Sequence, residues 1–181
     1  MTAAMDTPEG ARHSAADLFH QHGAAVYRFA AILLRNHQDA EDVVQETFLK
    51  LLHHLARGGN TDNLRAWLFT VAAHAARDRQ RRRTRWIPWA PAHELSIGPP
   101  ELPDEDGRQK AAREAMQCLP PRDRLLLALR AHGLSYREIA TAAAIRPSSV
   151  GRLLARALDR WTRTVSGAPR LSARTEGHGL L

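Results

Sequence analysis

Ser148, Ser149, Arg152 and Arg156 follow Pro147 on one side of a helical repeat whose other side is apolar. Arginine in such a position pairs bidentately with guanine, and serine reaches base edges or phosphates. A second concentration is more basic still. Arg77, Arg79, Arg81, Arg82, Arg83 and Arg85 fall within nine residues and close on Trp86 and Trp89. By charge alone this is a phosphate-binding surface, and its tryptophans either stack on unpaired bases or pack the segment that follows. The third group is acidic. Asp42 and Glu46 share a face with Leu49 and His53, and carboxylates around an outward leucine in a basic protein mark either a protein-docking surface or a solvated face. Bond-making chemistry has no comparable support. His37, His53, His54 and His74 are scattered, no nucleophile–base pair or metal-ligand spacing occurs, and Cys118 is the one cysteine. No catalytic residue, cofactor or metal is expected.

These groups need helices to position them. The 181 residues carry a formal charge of +7, with 44% hydrophobic and only 6% aromatic residues. Ala, Leu and Arg dominate and β-branched runs are scarce, which predicts an all-α protein with an anionic partner. The first 16 residues have no apolar run of a signal peptide, and no segment approaches the ~20 apolar residues of a membrane span. A cytoplasmic protein is expected, with a flexible N-terminus over 1–16.

A helical module is expected over 17–86. Its first helix stops near Arg35-Asn36-His37. The second is capped by Asp39, runs to Ala56, and has a core stripe of Ala40, Val44, Phe48, Leu51, Leu52 and Leu55. The Gly/Asn/Asp cluster Arg57–Asn63 breaks it, and a third helix starts near Leu64. Prolines 88, 91, 99, 100 and 103 with Glu94, Glu101, Asp104, Glu105 and Asp106 make 87–107 an acidic linker. A second module spans 108–164, with helices over about 108–118, 121–131, 135–143 and 147–164. A flexible tail over 165–181 follows.

Ser135-Tyr-Arg-Glu138 is a capping box, and Pro147 suits the first position of the next helix. With Ala144-Ile145-Arg146 as the turn, this is a helix-turn-helix whose second helix has Val150, Leu153, Leu154, Ala157, Leu158 and Trp161 inward. Its polar face is then free for the major groove.

Three blocks in order resemble the extracytoplasmic-function (group IV) bacterial RNA polymerase sigma factors: DAEDVVQETFLKLL, NLRAWLFTVAAHAARDRQRRR and LPPRDRLLLALRAHGLSYREIATAAAIRPSSVGRLLARAL. The first two are similar to region 2 and the last to region 4. The resemblance implies a sigma factor that binds RNA polymerase core enzyme, directs it to promoters and helps melt them, with an anti-sigma factor as a further partner. It places Asp42, Gln45, Glu46 and Leu49 against core polymerase. It puts Asn60, Asn63, Arg65, His74, Arg77 and Arg81 on the unpaired −10 element, and Ser148, Ser149, Arg152 and Arg156 on the −35 duplex. It also implies that the acidic linker runs through polymerase channels that otherwise hold nucleic acid. The chain departs from many relatives at Ala73-His74, where they have Arg-Asn, and at Gly151-Arg152-Leu153. The rival reading is a two-domain helix-turn-helix regulator that binds duplex DNA without polymerase.

Overall fold

The computed structural model describes residues 8–86 and 107–167. Among them are seven helices and no strand: α1 (Pro8–Leu34), α2 (His37–Ala56), α3 (Leu64–Trp86), α4 (Gly107–Gln117), α5 (Pro121–Ala131), α6 (Tyr136–Ala143) and α7 (Pro147–Gly167). The linker over 87–106, with Trp89 and its acidic residues, lies outside the described residues.

The helix ends follow from local chemistry. Arg35 takes a left-handed conformation (φ 56°) and stops α1. Asn36 is then extended, and its Oδ1 accepts from the Asp39 N–H at 2.8 Å. The cap of α2 is therefore Asn36 rather than the expected Asp39. A residue leaving a left-handed turn is already extended, as an N-cap must be, and Asp39 falls inside the first turn. The start of α1 is also earlier than the expected module boundary at Asp17, with Pro8 in the first helical position. The capping box of α6 forms in full: Ser135 Oγ accepts from the Glu138 N–H at 3.4 Å, and Glu138 Oε2 accepts from the Ser135 N–H at 2.7 Å.

Ala144 closes α6 with φ 54°, ψ 52°. This left-handed conformation crowds Cβ and costs a non-glycine residue about 1–2 kcal/mol. Ala144 is exposed and offers no packing in return. Ala144→Gly is thus expected to stabilise the fold by about 0.5–1 kcal/mol, after the entropy cost of glycine. A thermal melt with a raised midpoint checks it.

Val26, Phe29, Leu51, Leu68, Phe69 and Ala73 fill the core of α1–α3, while Leu126, Leu129, Ile139 and Val150 fill that of α4–α7. Of the expected α2 stripe, Phe48 and Leu52 are only half-buried, and Val43 and Thr47 are buried instead. In α7, Leu158 is 50% exposed rather than inward; with Trp161 it lines a groove against Arg28, Ile32 and Arg113. That groove opens between α1, α4, α5 and α7, which leaves the residue half uncovered.

The two modules are packed together in one continuous apolar cluster. Side chains of each also cap helices of the other. Gln117 donates to Ile32 O (3.0 Å) and Arg124 to Leu33 O (3.2 Å), both at the end of α1. Arg77 of α3 donates to Ala142 O (2.7 Å) and Ala143 O (3.3 Å) at the end of α6. The guanidinium groups of Arg124 and Arg77 also meet the negative end of a helix dipole, so those two contacts are favourable beyond their hydrogen bonds.

Candidate polymerase and nucleic-acid interfaces

The outer face of α2 carries the four residues expected to meet polymerase, and the structure divides them. Leu49 is 57% exposed and Gln45 is exposed; with Ala15, Ala16, Phe48 and Leu52 they line a shallow apolar groove between α1 and α2. Phe19, 46% exposed, packs edge-on against Phe48 and extends that strip. Asp42 and Glu46 are instead held toward α3. Arg79 reaches Glu46 at 2.8 Å and Asp42 at 3.6 Å, Lys50 reaches Glu46 at 2.8 Å, and Arg83 reaches Asp39 at 3.1 Å. Hydrogen bonds from Lys50 and then Arg79 hold the Glu46 carboxyl below its ordinary range. Two arginines of the basic run, Arg79 and Arg83, thus hold α2 against α3.

The loop after α2 is built before it meets any partner. Asn60 Oδ1 accepts from the Asp62 N–H, its Nδ2 donates to Asp62, and its carbonyl lies 2.9 Å from His54 Nε2. The His54 ring stacks on Trp67 with centroids 4.9 Å apart. A Cβ at Gly59 would fall 2.4 Å from the His54 ring, so only glycine lets the loop close over it. Lys50, His53, Arg57 and Trp67 complete a pocket there. Cations beside an aromatic face suit an extruded base and its phosphate. Sequence reasoning assigned neither His54 nor Trp67 to the site; the signal was an aromatic and a histidine flanking a glycine-rich loop.

Of the other residues expected on unpaired DNA, His74 and Arg81 are exposed on α3. Asn63 and Arg77 are engaged by α6: Asn63 Nδ2 donates to Glu138 Oε1, and Arg77 makes the capping bonds given above. Arg65 stands apart from these, its guanidinium beside Gly133 in the α5–α6 turn. Ala73 is fully buried, so the departure from relatives at that position concerns packing and leaves His74 as the exposed member of the pair.

On α7 the expected set is together: Ser148, Arg152 and Arg156 are exposed, and Ser149 is half-buried with its N–H on Arg146 O. Exposed Tyr136 lies within 3.5 Å of the position a Cβ would take at Gly151, which puts a phenol beside this face.

His132 plugs the junction. Its ring stacks on Phe69 (4.3 Å, 26°) and meets Phe29 edge-on (5.7 Å). Burial, then the charges of Arg65 and Arg28, push its pKa down to about 4. A depressed pKa means that the packed state is favoured while the imidazole is neutral. The contact is therefore at full strength above the ordinary histidine pKa of about 6.5 and weakens as pH falls from there through 4. Acid also protonates Glu138, whose pKa is lowered by Asn63 and then Ser135, so both groups act in the same direction. The expected result is a His132 titration midpoint near 4 by NMR, with the junction loosening over that window. A midpoint at the ordinary value would contradict the buried stack.

The chain matches the family model for sigma-70 region 2 over residues 18–86 and that for sigma-70 region 4 over residues 109–160. It is 31% identical over 144 residues to the RNA polymerase sigma factor CarQ of Myxococcus xanthus, covering 78% of this chain and 83% of CarQ. It is 31% identical over 141 residues to the ECF RNA polymerase sigma factor SigE of Mycolicibacterium smegmatis, covering 74% of this chain and 54% of SigE, so it spans about half of that relative. The sigma factor RpoE of Bartonella quintana, solved with the anti-sigma factor NepR, superposes with a TM-score of 0.63 at 22% identity, over 84% of this chain and 98% of that one. At that identity the likeness concerns the fold.

Proposed function

The chain belongs to the extracytoplasmic-function sigma factors of bacterial RNA polymerase, and we propose that its three surfaces divide the work of promoter initiation. Gln45 and Leu49 dock on core enzyme, with Asp42 and Glu46 as a charged margin held by Arg79. Asn60, Asn63, Arg65, His74, Arg77 and Arg81, with the loop pocket at His54 and Trp67, receive the melted −10 strand. Ser148, Ser149, Arg152 and Arg156 read the −35 element as duplex. Sigma factors are non-catalytic initiation factors, and this one works without a cofactor or metal, in the cytoplasm beside its polymerase. An anti-sigma factor is proposed as its regulator, in line with the complex in which the Bartonella protein was solved.

The observation that carries the reading is Leu49. A leucine 57% exposed beside an apolar groove, inside a stretch that matches region 2 throughout, needs a protein to cover it. A regulator independent of polymerase would need a different protein or ligand to cover that surface. A mobility assay separates the two: core enzyme and the chain together are expected to retain a promoter fragment that neither retains alone at physiological salt. Sequence-specific retention by the chain alone, unchanged by core enzyme, would support the regulator instead.

A further inference from the structure

One residue of α2 holds the loop that follows it at two points. The His54 carbonyl accepts from the Gly59 N–H at 2.9 Å, and the ring Nε2 lies 2.9 Å from the Asn60 carbonyl. A carbonyl only accepts, so Nε2 carries the proton and donates. The ring stacks on Trp67 with planes 28° apart, and Gly59 packs against it too closely for a Cβ. Asn60 in turn commits both ends of its side-chain amide to Asp62. The side-chain anchor of the loop on α2 is thus an imidazole whose bonded edge and stacked face are taken up by the protein itself. Trp67 lines both the pocket of Lys50, His53 and Arg57 and the cleft of Asn60, Asp62 and Asn63, so its orientation sets the shape of both.

We propose that His54 is a positioning residue for −10 specificity: its Nε2–H on Asn60 and its stack on Trp67 hold the loop in one shape, and that shape decides which unpaired base the pocket accepts. The proposal rests on the assignment of the loop pocket to the −10 strand. His54 acts through Asn60 and Trp67 and contributes no bond to DNA. What it supplies is preorganisation. A loop ordered beforehand need not be ordered by the strand, and a pocket of fixed shape penalises a base of the wrong outline. The cations around the pocket attract any phosphate, so loosening the loop removes discrimination and spares most of the general affinity.

The probe is a pool of short single-stranded DNAs of randomised sequence, offered to the full chain bound to core enzyme. Selection gives the preferred strand, and titrations against its single-base changes give the discrimination. His54→Phe keeps an aromatic ring for Trp67 and loses the donor. It should cut discrimination about 5-fold or more, while affinity for the disfavoured strands changes by less than about 2-fold. His54→Gln, whose amide N–H reaches about as far as Nε2–H, should restore most of it. Gly59→Ala should lower discrimination in the parent and add nothing in a His54→Ala chain, because the ring is what its Cβ meets. Full discrimination in the Phe variant, an equal loss on every strand, or independent effects at positions 54 and 59 would overturn the proposal. NMR shifts of the imidazole nitrogens test the latch without DNA. The Nε2–H tautomer is expected, and the Nδ1–H tautomer overturns the latch even where strands are bound selectively. A parent chain that shows the Nε2–H tautomer yet binds all strands alike removes the assignment of the pocket to the −10 strand, and the role of His54 with it.

Discussion

Leu49→Asp is expected to weaken binding to core RNA polymerase by about 30-fold or more, while folded stability changes by less than about 0.5 kcal/mol. An anchor residue in the centre of an interface is worth about 2 kcal/mol or more when lost, and a carboxylate there adds the cost of burying an unpaired charge. The side chain is 57% exposed and fills no cavity in the free protein, so the fold does not depend on it. Circular dichroism and a thermal melt establish the second half of the expectation, and a titration of labelled chain with core enzyme the first. Reversing Asp42 and Glu46 to lysine is a less clean test than their sequence positions imply. Both carboxylates pair with Arg79 and Glu46 also pairs with Lys50, so the reversal would place four cations together and strain the α2–α3 packing as well as the interface. Adding Arg79→Glu restores the pairing in swapped order, and a variant still unable to bind core would isolate the interface effect.

Arg152→Ala is expected to lower affinity for −35 duplex by about 1–3 kcal/mol, and to do so only for sequences that carry its cognate base. Arg152 is exposed in the second turn of α7, within the part that enters the groove in a helix-turn-helix. Its removal leaves the core face at Val150, Leu154 and Ala157 untouched. Fluorescence titrations against a library of duplexes, in the presence of core enzyme, give the comparison. An equal loss across all duplexes, with a salt slope reduced by about one, would make Arg152 a phosphate contact.

Much of the architecture was legible because helix ends are written in short-range chemistry. The capping box Ser135–Glu138, Pro121 and Pro147 at first helical positions, and the Gly58-Gly59 break each act over a few residues, and the helices begin or end there. The one misassigned cap, Asp39 for Asn36, depended on the left-handed turn at Arg35, which no residue type at that position announces. The exposure of Leu49 and of the α7 polar face was legible for the same reason, since helical periodicity decides which side faces out. Contacts between distant elements were not. Arg79 and Arg83 read as phosphate binders until α2 is seen across from them, because an arginine looks the same whether it meets a carboxylate or a phosphate. The closure of the two modules was hidden more deeply. Arg77 and Arg124 bond backbone carbonyls, which every residue carries, and His132 pairs with Phe29 and Phe69 across a large stretch of chain.

Run-off transcription from genomic fragments by purified core polymerase, with and without the chain, tests its role as a sigma factor. Core enzyme alone should give no discrete products, and addition of the chain should produce transcripts from a small set of start sites. Leu49→Asp should abolish them, and Arg152→Ala should lower their yield unequally from one start site to the next. A transcript pattern that is the same with and without the chain would contradict its role as a sigma factor.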